Sequence, residues 1–137
     1  MTRAGRPRTR PAPVQGLVML TGLAFLVLGA AGLVPGVTTD GQLFGVFAVS
    51  GALTLLHLLT GAIAVFCTRS AALSRRFLVA AGLLYAALGV YGLLPVPARF
   101  LEYVPMNLAG ICLAFGVSAL MFTLAIVARK KRVGRAS

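Results

Sequence analysis

Four long apolar runs without a charged side chain constrain the fold of this chain more than any other feature. They cover residues 14–34, 43–67, 77–94 and 107–128. Each run is close to the length of about 20 helical residues that the hydrocarbon core of a bilayer requires. Of the 137 residues, 59% are hydrophobic and 11% are charged, which is typical of membrane proteins. The pattern predicts four membrane spans and leaves no segment for a soluble domain.

Because lipid offers the backbone no hydrogen-bond partners, each run should form an α-helix. Barrel strands would require alternating polar positions, and the runs contain none. We therefore predict an all-α membrane domain over residues 14–128. A disordered basic tail at 1–13 and a basic tail at 129–137 are expected to flank it. The first run is interpreted as an uncleaved anchor, because three further spans follow it.

The basic residues are distributed unevenly between the two sides of the predicted bundle. Twelve of the 13 Lys and Arg lie in the two tails or in the second loop, whereas Arg99, Asp40 and Glu102 lie in the other two loops. The positive-inside rule then predicts a cytoplasmic-membrane protein with both termini in the cytoplasm. We expect the tails to contact anionic lipid rather than nucleic acid, because the short Arg/Pro tail lacks interleaved aromatic residues.

The chain resembles itself at an offset of sixty residues. GLAFLVLGAAGLVP at 22–35 matches GLLYAALGVYGLLP at 82–95 at seven of fourteen positions, including three glycines and the final proline. The first and third spans run in the same direction, so the pattern predicts two helical hairpins related about an axis along the membrane normal. The glycines are expected to allow close helix packing.

Small and polar residues form a stripe in the second run and another in the fourth. On the second run the stripe contains Ser50, Thr54, His57, Gly61 and Thr68, and on the fourth it contains Asn107, Gly110, Ala114 and Ser118. Their spacing places each set on one helix face, a geometry that would allow the two faces to pack together. The polar members Ser50, Thr54, His57 and Asn107 are the candidate site.

His57 is the only histidine and lies inside an apolar run, where an ionisable residue is a functional hypothesis by default. A proton relay needs several titratable groups, and no run contains Asp, Glu, Lys or Arg. Three roles remain open for His57: a structural hydrogen bond, which we favour, contact with a ligand or partner, and proton or metal chemistry. No Cys/His cluster, nucleophile elbow, phosphate loop or carboxylate pair is present, so we expect no catalytic, cofactor or metal site.

Several segments carry a resemblance to a known family: PVQ at 13–15, FLVLGAAGLVPGVTTD at 25–40, LFGVFAVS at 43–50, HLLTG at 57–61 and YVPMN at 103–107. The chain resembles a family of small four-helix membrane proteins from actinobacteria, known as domain of unknown function 4383. The resemblance implies the four-helix fold and no assigned activity. The family tends to carry a His-Asn pair where Leu53 and Thr54 stand here, and an Asp and a second His after the position of Asn107. Their absence favours a structural role for His57.

These observations lead to two functional expectations. The first is a non-enzymatic structural or accessory membrane protein that packs against a larger membrane complex or a second copy of itself. The alternative is a small transporter or channel for a neutral or lipidic solute, with the His57 face lining the path.

Overall fold

The computed structural model describes residues 12–95 and 97–133 and is mostly helical. Its helices are α1 (Pro13–Ala31), α2 (Gly51–Cys67), α3 (Ala71–Leu93), the short α4 (Ala98–Tyr103) and α5 (Leu108–Val133). Three of them, α1, α3 and the Leu108–Ala128 part of α5, are long and apolar enough to cross a membrane, and α2 is a shorter apolar helix. The chain is therefore a helical, multi-pass membrane protein, as predicted.

Two tight helical hairpins make up the bundle: α1 packs against α2, and α3 packs against α5. Glycines lie in both interfaces. A Cβ atom at Gly22 would lie 2.9 Å from the Ala64 Cβ, and one at Gly89 would lie 2.9 Å from the Phe115 ring. Because any side chain there would push the helices apart, the glycines have the packing role that the sequence predicted.

The loop between α1 and α2 contains three short antiparallel strands that the sequence analysis did not predict. They are β1 (Thr38–Thr39), β2 (Gln42–Leu43) and β3 (Phe47–Ala48), in the order β1-β2-β3. Asp40 and Gly41 join β1 to β2 with φ angles of 50° and 72°, as a two-residue primed turn requires. This loop and α4 cover the end of the bundle opposite the start of α1 and the end of α5, which we call the distal end.

The predicted start of the second helix at residue 43 is wrong. Phe44 and Gly45 have φ angles of 54° and 67°, which a right-handed helix cannot contain. The helix begins only at Gly51, where the Ser50 hydroxyl accepts a 3.2 Å hydrogen bond from the amide of Leu53. This N-cap satisfies one of the free amides of the first turn, so the helix boundary is fixed by Ser50.

Other boundaries also differ from the prediction. Helix α3 begins at Ala71, six residues before the expected start, and its first turns carry Arg75 and Arg76. Helix α5 continues to Val133, so the predicted tail from 129 begins as helix. Of the predicted disordered tail, residues 1–11 lie outside the described residues, and α1 begins at Pro13.

Candidate functional site

The two polar stripes make little direct contact with each other. Helices α2 and α5 make at most marginal contact within the described residues. Thr54 and Gly61 instead face α1, where a Cβ on Gly61 would lie 2.8 Å from the Gly22 carbonyl oxygen. On α5, the buried Ser118 hydroxyl donates a 2.8 Å hydrogen bond to the Gly82 carbonyl oxygen of α3. The small residues of each helix bring it close to its own hairpin partner.

Ser50 and Asn107 connect the two hairpins at the distal end. The Ser50 hydroxyl donates a 2.7 Å hydrogen bond to the carbonyl oxygen of Tyr103. The Asn107 amide donates a 2.6 Å hydrogen bond to the carbonyl oxygen of Val46. Asn107 also accepts from the Gly110 amide at 2.9 Å and so caps α5, as Ser50 caps α2. We call this pair of crossing hydrogen bonds the distal latch.

A cavity of about 40 Å³ lies among the four long helices, just below the latch. Its polar lining residues are Thr54 and His57, which belong to the candidate site, and Tyr85. The remaining lining residues are apolar or glycine. They come from the four long helices and from the segments that precede α2 and α5: Leu28, Leu43, Phe47, Ala48, Val49, Leu53, Leu88, Met106, Gly110, Leu113 and Ala114. We call this space the axial cavity. It can accept only a small and largely apolar group.

An aromatic cluster lies at the deep end of the axial cavity. The Phe25 ring centroid is 5.1 Å from that of Tyr85 and 5.8 Å from that of His57, with the Phe25 and His57 rings nearly parallel. His57 and Tyr85 are 6.2 Å apart between ring centroids. These distances are typical of aromatic pairs that pack with a preferred geometry. His57 is therefore held by packing against rings from α1 and α3.

Beyond the aromatic cluster the bundle is tightly packed toward the end opposite the distal end. Val18 and Leu78 have no exposed surface, and Met121 is 1% exposed. They come from α1, α3 and α5 respectively. These side chains separate the axial cavity from the other end of the bundle.

Tyr85 is the one site residue that the sequence analysis missed. It is 2% exposed, and its hydroxyl oxygen has no hydrogen-bond partner within the described residues. Thr60 lies beside it, and the Thr60 hydroxyl donates its proton to the Leu56 carbonyl oxygen at 2.8 Å while its oxygen keeps the capacity to accept a hydrogen bond from Tyr85. An unpaired buried hydroxyl is costly, which makes Tyr85 the most unusual polar group in the bundle.

The chemistry available at the cavity is that of one imidazole, one phenol and one threonine hydroxyl. Among the described residues, no three His, Cys, Asp or Glu side chains lie close enough together to hold a metal ion. The polar groups of the cavity can donate and accept hydrogen bonds, and they carry no fixed charge.

Comparison with known proteins identifies the family. The profile described as "Domain of unknown function (DUF4383)" matches residues 15–127. No curated protein and no solved structure matches the chain. The matched segment covers α2, α3, the distal loops and most of α1 and α5, in agreement with the resemblance found in the sequence. The chain therefore belongs to the DUF4383 family of domains of unknown function.

Proposed function

We propose that this chain is a non-enzymatic structural or accessory protein of the cytoplasmic membrane. The observation that supports it is the use of polar side chains within the bundle. Ser50 and Asn107 cap helices and form the distal latch, and Ser118 bonds to Gly82 within the second hairpin. Such hydrogen bonds fix helix register and leave few polar groups for chemistry. The proposed partners are lipid at the basic segments and either a larger complex or a second copy of the chain. Nucleic acid is not a proposed partner.

We further propose four membrane spans with both termini in the cytoplasm. Helix α2 rises about 25 Å over its 17 residues, less than the roughly 30 Å of a hydrocarbon core. However, α1 and α3 run in the same direction, so α2 must return the chain between them. Arg69, Arg75 and Arg76 surround the α2–α3 turn, where the positive-inside rule favours the cytoplasmic face.

The contacts in the two hairpins support the proposed parallel repeat. Gly29 faces Leu58, and sixty residues on, Gly89 faces Phe115. Gly32 likewise faces Thr54, and Gly92 faces Ile111. The contact partners are 57 residues apart in both cases, so α5 corresponds to α2 at that offset.

The distal latch follows the same correspondence. Ser50 and Asn107 are 57 residues apart, and so are their acceptors, Val46 and Tyr103. Ser50 of the first half bonds to Tyr103 of the second, and Asn107 of the second half bonds to Val46 of the first. The two hydrogen bonds therefore correspond to each other. Such a reciprocal pair is what a two-fold axis along the membrane normal produces.

The accessory role is tested by extracting the tagged chain from its native membrane in polymer discs without detergent. Mass spectrometry of the discs should recover another membrane protein in a fixed ratio to the chain. The control is the same membrane without the tagged chain, and chains carrying two different tags show whether copies associate. Recovery of the chain with lipid only would contradict the accessory role.

A transporter or channel is the second candidate, because the axial cavity enters the bundle beside His57. A path across the bundle would also have to pass Val18, Leu78 and Met121, which are buried. Single cysteines at Ser50, Thr54 and Met121, in a chain without Cys67 and Cys112, test it. A water-soluble thiol reagent should reach all three if a path exists, whereas protection of Thr54→Cys and Met121→Cys would exclude it.

A further inference from the structure

We propose that the turn between α2 and α3 binds the phosphate group of an anionic phospholipid, with Arg69, Arg75 and Arg76 as the cationic contacts. This inference deepens the proposed contact of the basic segments with lipid and rests on it, because it names one site and the headgroup chemistry that the site takes. It is supported by the charge of the turn, by its depth in the membrane and by the lipid-facing surface beside it.

No acidic side chain is available to the three arginines at their end of the bundle. The chain contains only two acidic side chains, Asp40 and Glu102, and both lie at the distal end. Arg69 and Arg76 are exposed, and Arg75 is half-buried. A guanidinium group is planar and binds a phosphate group through two parallel hydrogen bonds. The charge of the turn is therefore complementary to an anionic headgroup.

The short α2 places the turn at the depth of the lipid phosphates. Its 17 residues rise about 25 Å, less than the roughly 30 Å of a hydrocarbon core. Along α3, Arg76 is likewise only about 26 Å from Leu93, at the far end of the helix. The Ser74 hydroxyl donates a 3.1 Å hydrogen bond to the Cys67 carbonyl oxygen and so holds the two helix ends side by side. The arginines must therefore extend into the headgroup layer, as long basic side chains do near a membrane interface.

An apolar, lipid-facing surface of α2 leads to Arg69. Leu55, Leu59, Ile63 and Phe66 follow one another at helical spacing, and each is more than half exposed. The central guanidinium carbon of Arg69 lies 4.3 Å from the centroid of the Phe66 ring, a distance at which cation–π attraction holds the group in place. A phospholipid at this position would lay its acyl chains along the apolar surface and its phosphate beside Arg69.

The test measures lipid preference beside Arg69 with a single tryptophan. The chain contains no tryptophan, so Phe66→Trp introduces the only one, and the indole ring keeps a stacking surface for Arg69. The full-length variant is reconstituted in phosphatidylcholine vesicles that contain phosphatidylglycerol with bromine atoms on its acyl chains. Quenching of the tryptophan fluorescence reports contact with the brominated lipid, and brominated phosphatidylcholine is the reference.

Phosphatidylglycerol should associate with this position at least about fivefold more strongly than phosphatidylcholine, as expected for one or more cations at an anionic headgroup. Equal quenching by the two brominated lipids would overturn the proposal. Because the vesicles contain no other protein, this result does not depend on whether the polymer discs recover a protein partner. The lipid site and the accessory role can therefore fail separately.

Two further substitutions in the Phe66→Trp chain locate the effect. Arg69→Gln should reduce the preference for phosphatidylglycerol about fivefold, the ratio that corresponds to about 1 kcal/mol for one cation near an anionic surface. Arg99→Gln is the matched control and should leave the preference unchanged. It removes the same charge at the distal end, where the guanidinium carbon of Arg99 lies 5.1 Å from the centroid of the Phe100 ring. An equal loss in both variants, or an unchanged preference in Arg69→Gln with an unchanged melting temperature, would overturn the proposal.

Discussion

The Asn107 side-chain amide donates a 2.6 Å hydrogen bond to the carbonyl oxygen of Val46, across the boundary between the two hairpins. Ser50 returns a 2.7 Å hydrogen bond to Tyr103 from the other side. Both donors also cap the helices that follow them. One pair of polar residues therefore sets where α2 and α5 begin and holds the distal loops over the axial cavity.

Asn107→Ala should lower the free energy of unfolding by about 1–2 kcal/mol, because it removes a helix cap and an inter-hairpin hydrogen bond. Unfolding of the detergent-solubilised protein by heat or denaturant measures this effect. Hydrogen exchange should also become faster over residues 42–49, because β3 loses its attachment to α5.

Asn107→Asp separates the two roles of this side chain. The aspartate keeps an oxygen that accepts from the Gly110 amide, but it cannot donate to Val46. We expect exchange over residues 42–49 to increase while the first turn of α5 stays protected. Hydrogen exchange at the wild-type rate over residues 42–49 would show that the distal latch does not hold this loop.

Gly61→Ala should destabilise the first hairpin, whereas Gly116→Ala should not. A Cβ on Gly61 would lie 2.8 Å from the Gly22 carbonyl oxygen and 2.9 Å from the Leu26 amide nitrogen, and backbone atoms cannot move aside cheaply. Apart from its chain neighbours and the backbone of its own helix, nothing among the described residues lies within 4 Å of the corresponding position on Gly116. We expect a loss of about 1–3 kcal/mol for Gly61→Ala, as for overpacked cores, measured by thermal unfolding. Equal melting temperatures for both variants would contradict the proposed close contact.

The helices could be predicted from the sequence because lipid leaves the backbone few options. Long uncharged runs give the position of each helix, and the glycines of 22–35 and 82–95 identify the faces that meet. Helix ends were less accurate, because hydropathy does not distinguish an apolar strand from an apolar helix. The Asp40-Gly41 pair was the signal for the distal turn, since this dipeptide favours two-residue primed turns.

The candidate site could be predicted only in part. Ser50, Thr54, His57 and Asn107 all lie at or next to the axial cavity, but spacing on one helix does not show which neighbour each residue faces. Thr54 faces Gly32 of α1, and Asn107 reaches Val46, because the hairpins pack by their glycines. Tyr85 was missed because a tyrosine in an apolar run resembles ordinary packing. In the sixty-residue repeat Tyr85 corresponds to Phe25, which lacks the hydroxyl. This difference was the one sequence signal that pointed to Tyr85.

Tyr85→Phe should stabilise the protein in detergent. Removing an unpaired buried hydroxyl removes a desolvation cost of about 1–3 kcal/mol, and the ring remains to pack against Phe25. The melting temperature should therefore rise. Tyr91→Phe loses a 3.2 Å hydrogen bond to Phe100 and should show no increase. A lower melting temperature for Tyr85→Phe would mean that the hydroxyl is paired, with Thr60 as the neighbouring candidate.

Ser118→Ala should weaken the second hairpin by a modest amount. The buried Ser118 hydroxyl joins α5 to α3 through the Gly82 carbonyl oxygen, and inter-helix hydrogen bonds in membranes contribute about 0.6 kcal/mol on average. The matched control is Thr123→Ala, because the exposed Thr123 hydroxyl bonds only to Ala119 within its own helix. Denaturant unfolding should rank the wild type and Thr123→Ala together, above Ser118→Ala. An equal loss of stability in Thr123→Ala and Ser118→Ala would mean that the loss arises within α5. The Ser118–Gly82 hydrogen bond would then not be what holds α3 against α5.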